Sequence, residues 1–202
     1  MINCEVDGLF SIPVGTSILE PALTQGEIDF IMGLEQTLND GNMTSKDNYV
    51  LNQKPLQRVK DFCQLAVSNF FVEVYSPSGN VELYITQSWA NYTKSGQYHH
   101  KHQHPNSIVS GVFYVNADPD KDKIMFFNST YKPINFPRDK WNVFNSDSWW
   151  FSVKPNELKM FPSELHHSVP PTESKDVRVS IAFNTFVKGR LGEKDRLTEL
   201  II

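Results

Sequence analysis

The chain has 202 residues, 40% of them hydrophobic and 21% charged, with a formal net charge of −4; this is the balance of one globular domain with a well-buried core, and it offers no basic stripe for a nucleic-acid partner. No run of about 18 apolar residues is present to span a bilayer, and residues 1–7 lack the basic and apolar regions of a secretory signal. Cys4 and Cys63 lie far apart in no CxxC pattern, so a disulfide framework is not expected and a reducing, cytoplasmic setting fits.

In chain order, Thr24-Gln25-Gly26-Glu27 reads as a capping box. Behind it Ile28, Ile31, Leu34 and Leu38 fall at helical spacing, with Gly41 as the expected stop. A second helix is predicted from Pro55, a good first-turn residue, with Leu56, Val59, Phe62, Cys63, Ala66 and Phe70 on one face. Both helices are expected to cover a sheet, and Cys63 to be a small core residue rather than a nucleophile.

From about residue 81 the period changes to two: Val81, Leu83 and Ile85 alternate with Glu82, Tyr84 and Thr86. Further strands are predicted over 108–116, 123–127, 149–153, 158–161 and 177–186, separated by turn signals such as Asn116-Ala117-Asp118-Pro119-Asp120 and Pro170-Pro171. Many short punctuated strands imply a sandwich, jelly roll or barrel. The long connection over 130–145, with Pro133, Pro137 and Trp141, is a lid, a binding loop or a plain linker. Trp141, Trp149 and Trp150 are candidates for a substrate cleft or for sheet packing. The tail 197–202 ends in apolar residues that must dock on the body or meet a partner, which leaves a homo-oligomer open.

All six histidines fall in two places: His99, His100, His102 and His104 in one, His166 and His167 in the other. Neutral imidazole is the commonest ligand for first-row metals. Residues two apart on an extended strand share a face, so His102 and His104 can converge on one ion. His100 has the same parity but need not reach. By itself the first cluster is equally a solvated turn; the second adds a ligand from another strand. Only one of the adjacent His166 and His167 can face inward. On the last long strand Arg178, Ser180, Ala182 and Asn184 share a face. That face is either solvated or an interior carboxylate site, since guanidinium binds carboxylates bidentately.

The stretch His102-Gln103-His104-Pro105-Asn106-Ser107, followed by Ser110-Gly111-Val112-Phe113-Tyr114-Val115, resembles the H-x-H-P-x-S…S-G-V-[YF]-Y-V segment of a group of iron- and 2-oxoglutarate-dependent oxygenases. Phe161-Pro162-Ser163-Glu164-Leu165-His166-His167-Ser168-Val169, with Arg178-Val179-Ser180-Ile181-Ala182-Phe183-Asn184 behind it, is similar to that group's second motif. The group is common in bacteria and phages and is related to prolyl hydroxylases. The likeness runs roughly from Trp89 to Phe186.

It implies a mainly β, α+β protein: a double-stranded β-helix, or cupin-like jelly roll, with two N-terminal helices on the sheet. Residues 1–80 would be the support region of a single domain, 81–190 its core and 191–202 its tail. It implies Fe(II) held by His102, His104 and His167, and 2-oxoglutarate held by Arg178 and Tyr114, with Ser180 beside them. Dioxygen is the co-substrate, and decarboxylation of 2-oxoglutarate is coupled to hydroxylation of a small molecule or of a peptidyl side chain such as proline. His104 departs from the pattern, because most relatives carry Asp or Glu there. The site is then three-histidine, or His104 sits beside a two-histidine centre with water; Asp118 and Glu164 are alternative acids whose positions do not match the motif. Three histidines also suit zinc, so a zinc hydrolase or isomerase of cupin type stays open, as does a non-catalytic binding module.

Overall fold

After a short strand, β1 (Gly15–Ile18), the first helix, α1 (Gln25–Met32), opens as its sequence requires. Thr24 Oγ1 accepts from the Glu27 N–H at 3.3 Å and Glu27 accepts from the Thr24 N–H at 2.7 Å, so two otherwise orphaned donors satisfy each other. The helix stops at Gly33 rather than at Gly41. Leu34 and Leu38 are four apart, a spacing that a strand places on one face as readily as a helix does. Leu38 in fact closes β2 (Gln36–Leu38) and is 84% exposed. The chain then turns through Gly41, at φ +89°, into β3 (Met43–Ser45). The front third therefore contributes strands as well as helices.

The computed structural model describes residues 4–129, 134 and 136–202. Pro55 sits in a 3-10 turn that leads into α2 (Gln57–Tyr75), whose buried face is Val59, Cys63, Ala66, Val67, Phe70 and Phe71. Cys63 is fully buried, and burial pushes its thiol far above the ordinary range, which makes it an inert core residue. The strands that follow are β4 (Glu82–Thr93), β5 (His99–His102), β6 (Val109–Asn116), β7 (Lys123–Phe127), β8 (Ser148–Ser152), β9 (Glu157–Pro162), β10 (His167–Val169) and β11 (Arg178–Lys188). The predicted strands are all present, with small shifts at their ends. A hairpin of β12 (Arg190–Leu191) and β13 (Leu200–Ile201) closes the chain and leaves Leu197, Leu200 and Ile201 exposed.

Two antiparallel sheets result, one in the order β1-β9-β6-β11-β4-β3-β2 and the other β5-β10-β7-β8. Strands remote in sequence alternate between the two sheets, which is the jelly-roll, double-stranded β-helix arrangement. The large sheet is covered on both faces. Its outer face packs Phe113, Val115, Leu158, Met160, Val179, Ile181 and Phe183 against α2. Half-buried Phe62 of α2 meets Phe113 edge to face at 6.0 Å, and the full burial of Phe113 contributes about 2–3 kcal/mol. Its inner face, with Val112, Tyr114 and Ala182, meets Ile124 and Phe126 of the small sheet. Arg178 and Ser180 are therefore interior: both are buried, and from Arg178 to Phe183 neither face of β11 is left for solvent.

Gly111 is dictated by this packing. It pairs with Phe183, and a Cβ added at Gly111 would lie 2.2 Å from the Phe183 ring. Gly111→Ala is expected to cost about 1–3 kcal/mol, the usual range for overpacking, with a matching fall in the urea midpoint. Adding Phe183→Leu should return part of it. A midpoint unchanged in Gly111→Ala would contradict this packing.

Residues 130–133 and 135 of the long connection, Pro133 among them, lie outside the described residues. Trp141, Trp149 and Trp150 are all at least two-fifths exposed, so none of the three is a core residue. Among the described residues no helix is long and apolar enough to cross a membrane.

Candidate metal centre

His102 ends β5 and His167 begins β10, and the two are direct partners across that strand pair. Partners across an antiparallel pair point to one face, so residues 65 positions apart bring their ring centroids to 4.3 Å. His104 lies just beyond the end of β5. Its N–H donates to the Ser163 carbonyl at 2.9 Å, which keeps the chain extended past the strand. Its ring centroid comes to 4.9 Å from that of His102 and 5.1 Å from that of His167. One ring nitrogen from each histidine lies within 4.8 Å of the others. That spacing lets three rings close on one ion with only small rotations.

Two main-chain carbonyls set the orientation. His102 Nδ1 lies 2.8 Å from the His100 carbonyl oxygen, and His167 Nδ1 lies 2.9 Å from that of Leu165. A carbonyl only accepts, so each Nδ1 carries the proton and each Nε2 keeps its lone pair for a ligand. Burial lowers all three rings: His104 to about 4, His167 to about 2, and His102 in the same direction. At neutral pH they are uncharged, the form that binds metal. Trp89 beside His104 (5.7 Å) and Phe161 beside His167 (4.6 Å) wall the cluster with apolar rings.

His166 faces away and lines a surface hollow with Tyr75 and Glu164. Glu164 is therefore remote from the rings as a ligand. Asp118 pairs with Lys121 at 3.3 Å in the turn before β7. Among the described residues no carboxylate joins His102, His104 and His167 in one ligating group.

The second part of the site lies on the large sheet. Ser180 pairs with Tyr114 on one side and Asn91 on the other, and Arg178 pairs with Thr93. These side chains share the inner face. Arg178 is 4% exposed, and its guanidinium stands 5.3 Å from the centre of the Tyr114 ring. Its one hydrogen bond among the described residues runs from Nη1 to the Lys123 carbonyl at 3.4 Å, and no carboxylate pairs with it there. Among the described residues Arg178 Nε, the Tyr114 hydroxyl and Asn91 Oδ1 are buried without a hydrogen-bond partner. Burial pushes the Tyr114 hydroxyl up to about 12, so it stays a neutral donor. An interior cation with no counter-ion costs several kcal/mol, and unpaired buried donors cost more. A dicarboxylate accepts from the two donors, Arg178 Nε and the Tyr114 hydroxyl, and supplies the counter-charge, so these residues fit 2-oxoglutarate. The imidazoles fit a first-row metal equally well.

Asn91 was not singled out from the sequence. Its only signal there is parity with Trp89 on β4, and a polar residue in a strand is usually solvated. His99 was passed over as well, and His100 was not expected to reach. The structure places the His99 ring 4.5 Å from that of His102 and the His100 ring 5.0 Å from it. Beside the cluster runs a cleft of ≈ 600 Å³ lined by Phe126, Phe144, Trp149, Phe151 and Leu165. Phe126 and Leu165 connect it to His167, the first by a 6.3 Å ring contact and the second through its carbonyl.

Residues 87–184 match the family model described as "Putative 2OG-Fe(II) oxygenase". No curated protein matches the chain. Among solved structures it is similar to an oxidoreductase of the 2OG-Fe(II) oxygenase family from Burkholderia pseudomallei, at 12% identity and a TM-score of 0.55, covering 85% of this chain and 84% of that one. It is similar to a prolyl hydroxylase from Trichoplax adhaerens in complex with a hypoxia inducible factor peptide fragment, at 14% identity, TM-score 0.52, and 85% and 83% coverage. It is likewise similar to HygX from Streptomyces hygroscopicus with nickel, 2-oxoglutarate and hygromycin B bound, at 11% identity, TM-score 0.52, and 85% and 82% coverage. At such identities the likeness speaks for the jelly-roll fold alone. The family match spans β4 to β11 and with them the three histidines, Tyr114 and Arg178. Over residues 87–184 the chain thus carries the core of a 2OG-Fe(II) oxygenase, an enzyme family that works with iron, 2-oxoglutarate and dioxygen.

Proposed function

We propose that His102, His104 and His167 hold ferrous iron through Nε2, an all-histidine version of a facial set. Arg178 takes the carboxylate of 2-oxoglutarate remote from the metal. The Tyr114 hydroxyl, Ser180 and the Asn91 amide complete that pocket. The observation that carries the reading is the buried guanidinium of Arg178, without a carboxylate partner among the described residues, behind a cluster of neutral imidazoles.

The bound iron supplies an oxidative decarboxylation in which 2-oxoglutarate, dioxygen and a substrate C–H become succinate, carbon dioxide and a C–OH group. The chain's own residues do the rest. Arg178 and Tyr114 fix the diacid at one end, so that its keto acid faces the imidazoles. Trp89, Phe161 and Phe126 keep water from the rings. The cleft walled by Phe144, Trp149 and Phe151 is the substrate side, and its aromatic lining suits a peptidyl side chain such as proline or a small apolar molecule.

The chain works as one domain in this reading: residues 1–80 support, 81–190 form the core and 191–202 the tail. The composition favours a cytoplasmic setting, a bacterial or phage origin fits the motifs, and the acidic balance disfavours a nucleic-acid substrate. The exposed tail residues are compatible with a homo-oligomer. Anaerobic addition of 2-oxoglutarate to the ferrous protein should give a weak visible charge-transfer band, and air should then release succinate. Bound zinc with neither band nor succinate would overturn the assignment in favour of a hydrolase or isomerase.

A further inference from the structure

The first two residues of β5, His99 and His100, have no part in the site as assigned above. Their rings nevertheless lie against His102. The His99 ring is nearly parallel to it, at 4.5 Å and 19°, and the His100 ring stands 5.0 Å from it and 5.2 Å from the His99 ring. One ring nitrogen each from His99, His100 and His102 lies within 4.8 Å of the other two, the same closeness that marks the inner set. His100 Nδ1 has no hydrogen-bond partner among the described residues, and it stands 3.5 Å from Asp40 Oδ2 on the turn between β2 and β3. Imidazoles beside a carboxylate are a donor set for cobalt, nickel, copper or zinc.

The two sets differ in depth. The His100 side chain is 40% exposed and that of Asp40 66%, whereas His167 is 4% exposed. They also overlap at a single residue. The Nδ1–H of His102 is held by the His100 carbonyl, so only its Nε2 is free, and one lone pair binds one ion. We propose that His99, His100 and His102, with Asp40 alongside, form an outer transition-metal position. It shares His102 with the inner set, so an ion occupies one position or the other, and entering ions are held there before they pass inward. The proposal depends on the inner assignment only for the identity of the second position.

Cobalt(II) titration of the metal-free chain, followed by visible absorption and calorimetry, tests this. The variant His104→Ala/His167→Ala, which lacks the inner set, should still bind one saturable equivalent. Adding His99→Ala and His100→Ala should abolish it. If the first variant binds none while the native chain binds one equivalent, the outer position is overturned and the inner set stands. If cobalt binds equally in the variant lacking all four rings, the outer position is also overturned. A native chain that binds none overturns both assignments. Should the inner-set variant fail to fold, the decisive measurement is stopped-flow cobalt loading of His99→Ala/His100→Ala, whose inner set is intact. Loading several-fold slower than native supports the outer position, and loading at the native rate overturns it.

Discussion

Replacing His167 with alanine should abolish succinate formation, by about a thousand-fold or more, equivalent to about 4 kcal/mol of lost transition-state stabilisation. His102 and His104 come from one segment, and His167 is the residue that the second strand of the pair sets opposite them. Without it two rings remain, and two rings do not fix a coordination geometry. Iron content after anaerobic purification should fall with activity. The neighbour is the control: His166 points to the surface hollow, so His166→Ala should keep both iron and turnover. Equal losses in the two variants would sink the assignment of His167.

Arg178→Ala should raise the KM for 2-oxoglutarate about a hundred-fold, corresponding to about 3 kcal/mol, within the range for removing one member of a buried charge pair. Arg178→Lys should recover little of it, because an ammonium cannot present the planar fork of a guanidinium. A second measurement separates binding from architecture. In the ligand-free protein Arg178 is an interior charge without a carboxylate partner among the described residues, so its removal should leave the melting temperature unchanged or raise it. A melting temperature that falls steeply, with KM held within a few-fold, would make Arg178 a structural residue.

Much of this was legible in the sequence because the physical signals were local. The capping box at Thr24, the period-two run on β4 and the strands β6, β7, β8, β9 and β11 each follow from residues close together in the chain. The end of α1 was not legible, since Leu34 and Leu38 satisfy helix and strand alike. The histidines could be sorted into two groups by position, yet choosing between His166 and His167 required either the family resemblance or the register of β10 against β5. Asn91 and His99 stayed hidden for a different reason. Whether a polar strand residue faces water or an interior depends on what covers the sheet. Here the facing sheet is built from β5, β7, β8 and β10, strands that lie as far on as His167–Val169.

The carbonyls of His100 and Leu165 fix which nitrogen His102 and His167 offer to a ligand. Where a metal site assigns this task to a carboxylate side chain, a single codon change removes that partner. Here the partner belongs to the main chain two residues upstream, and every amino acid at positions 100 and 165 supplies it. Substitution around these rings can therefore accumulate over evolutionary time without altering their protonation pattern. What the lineage must preserve is the bend of two short backbone segments.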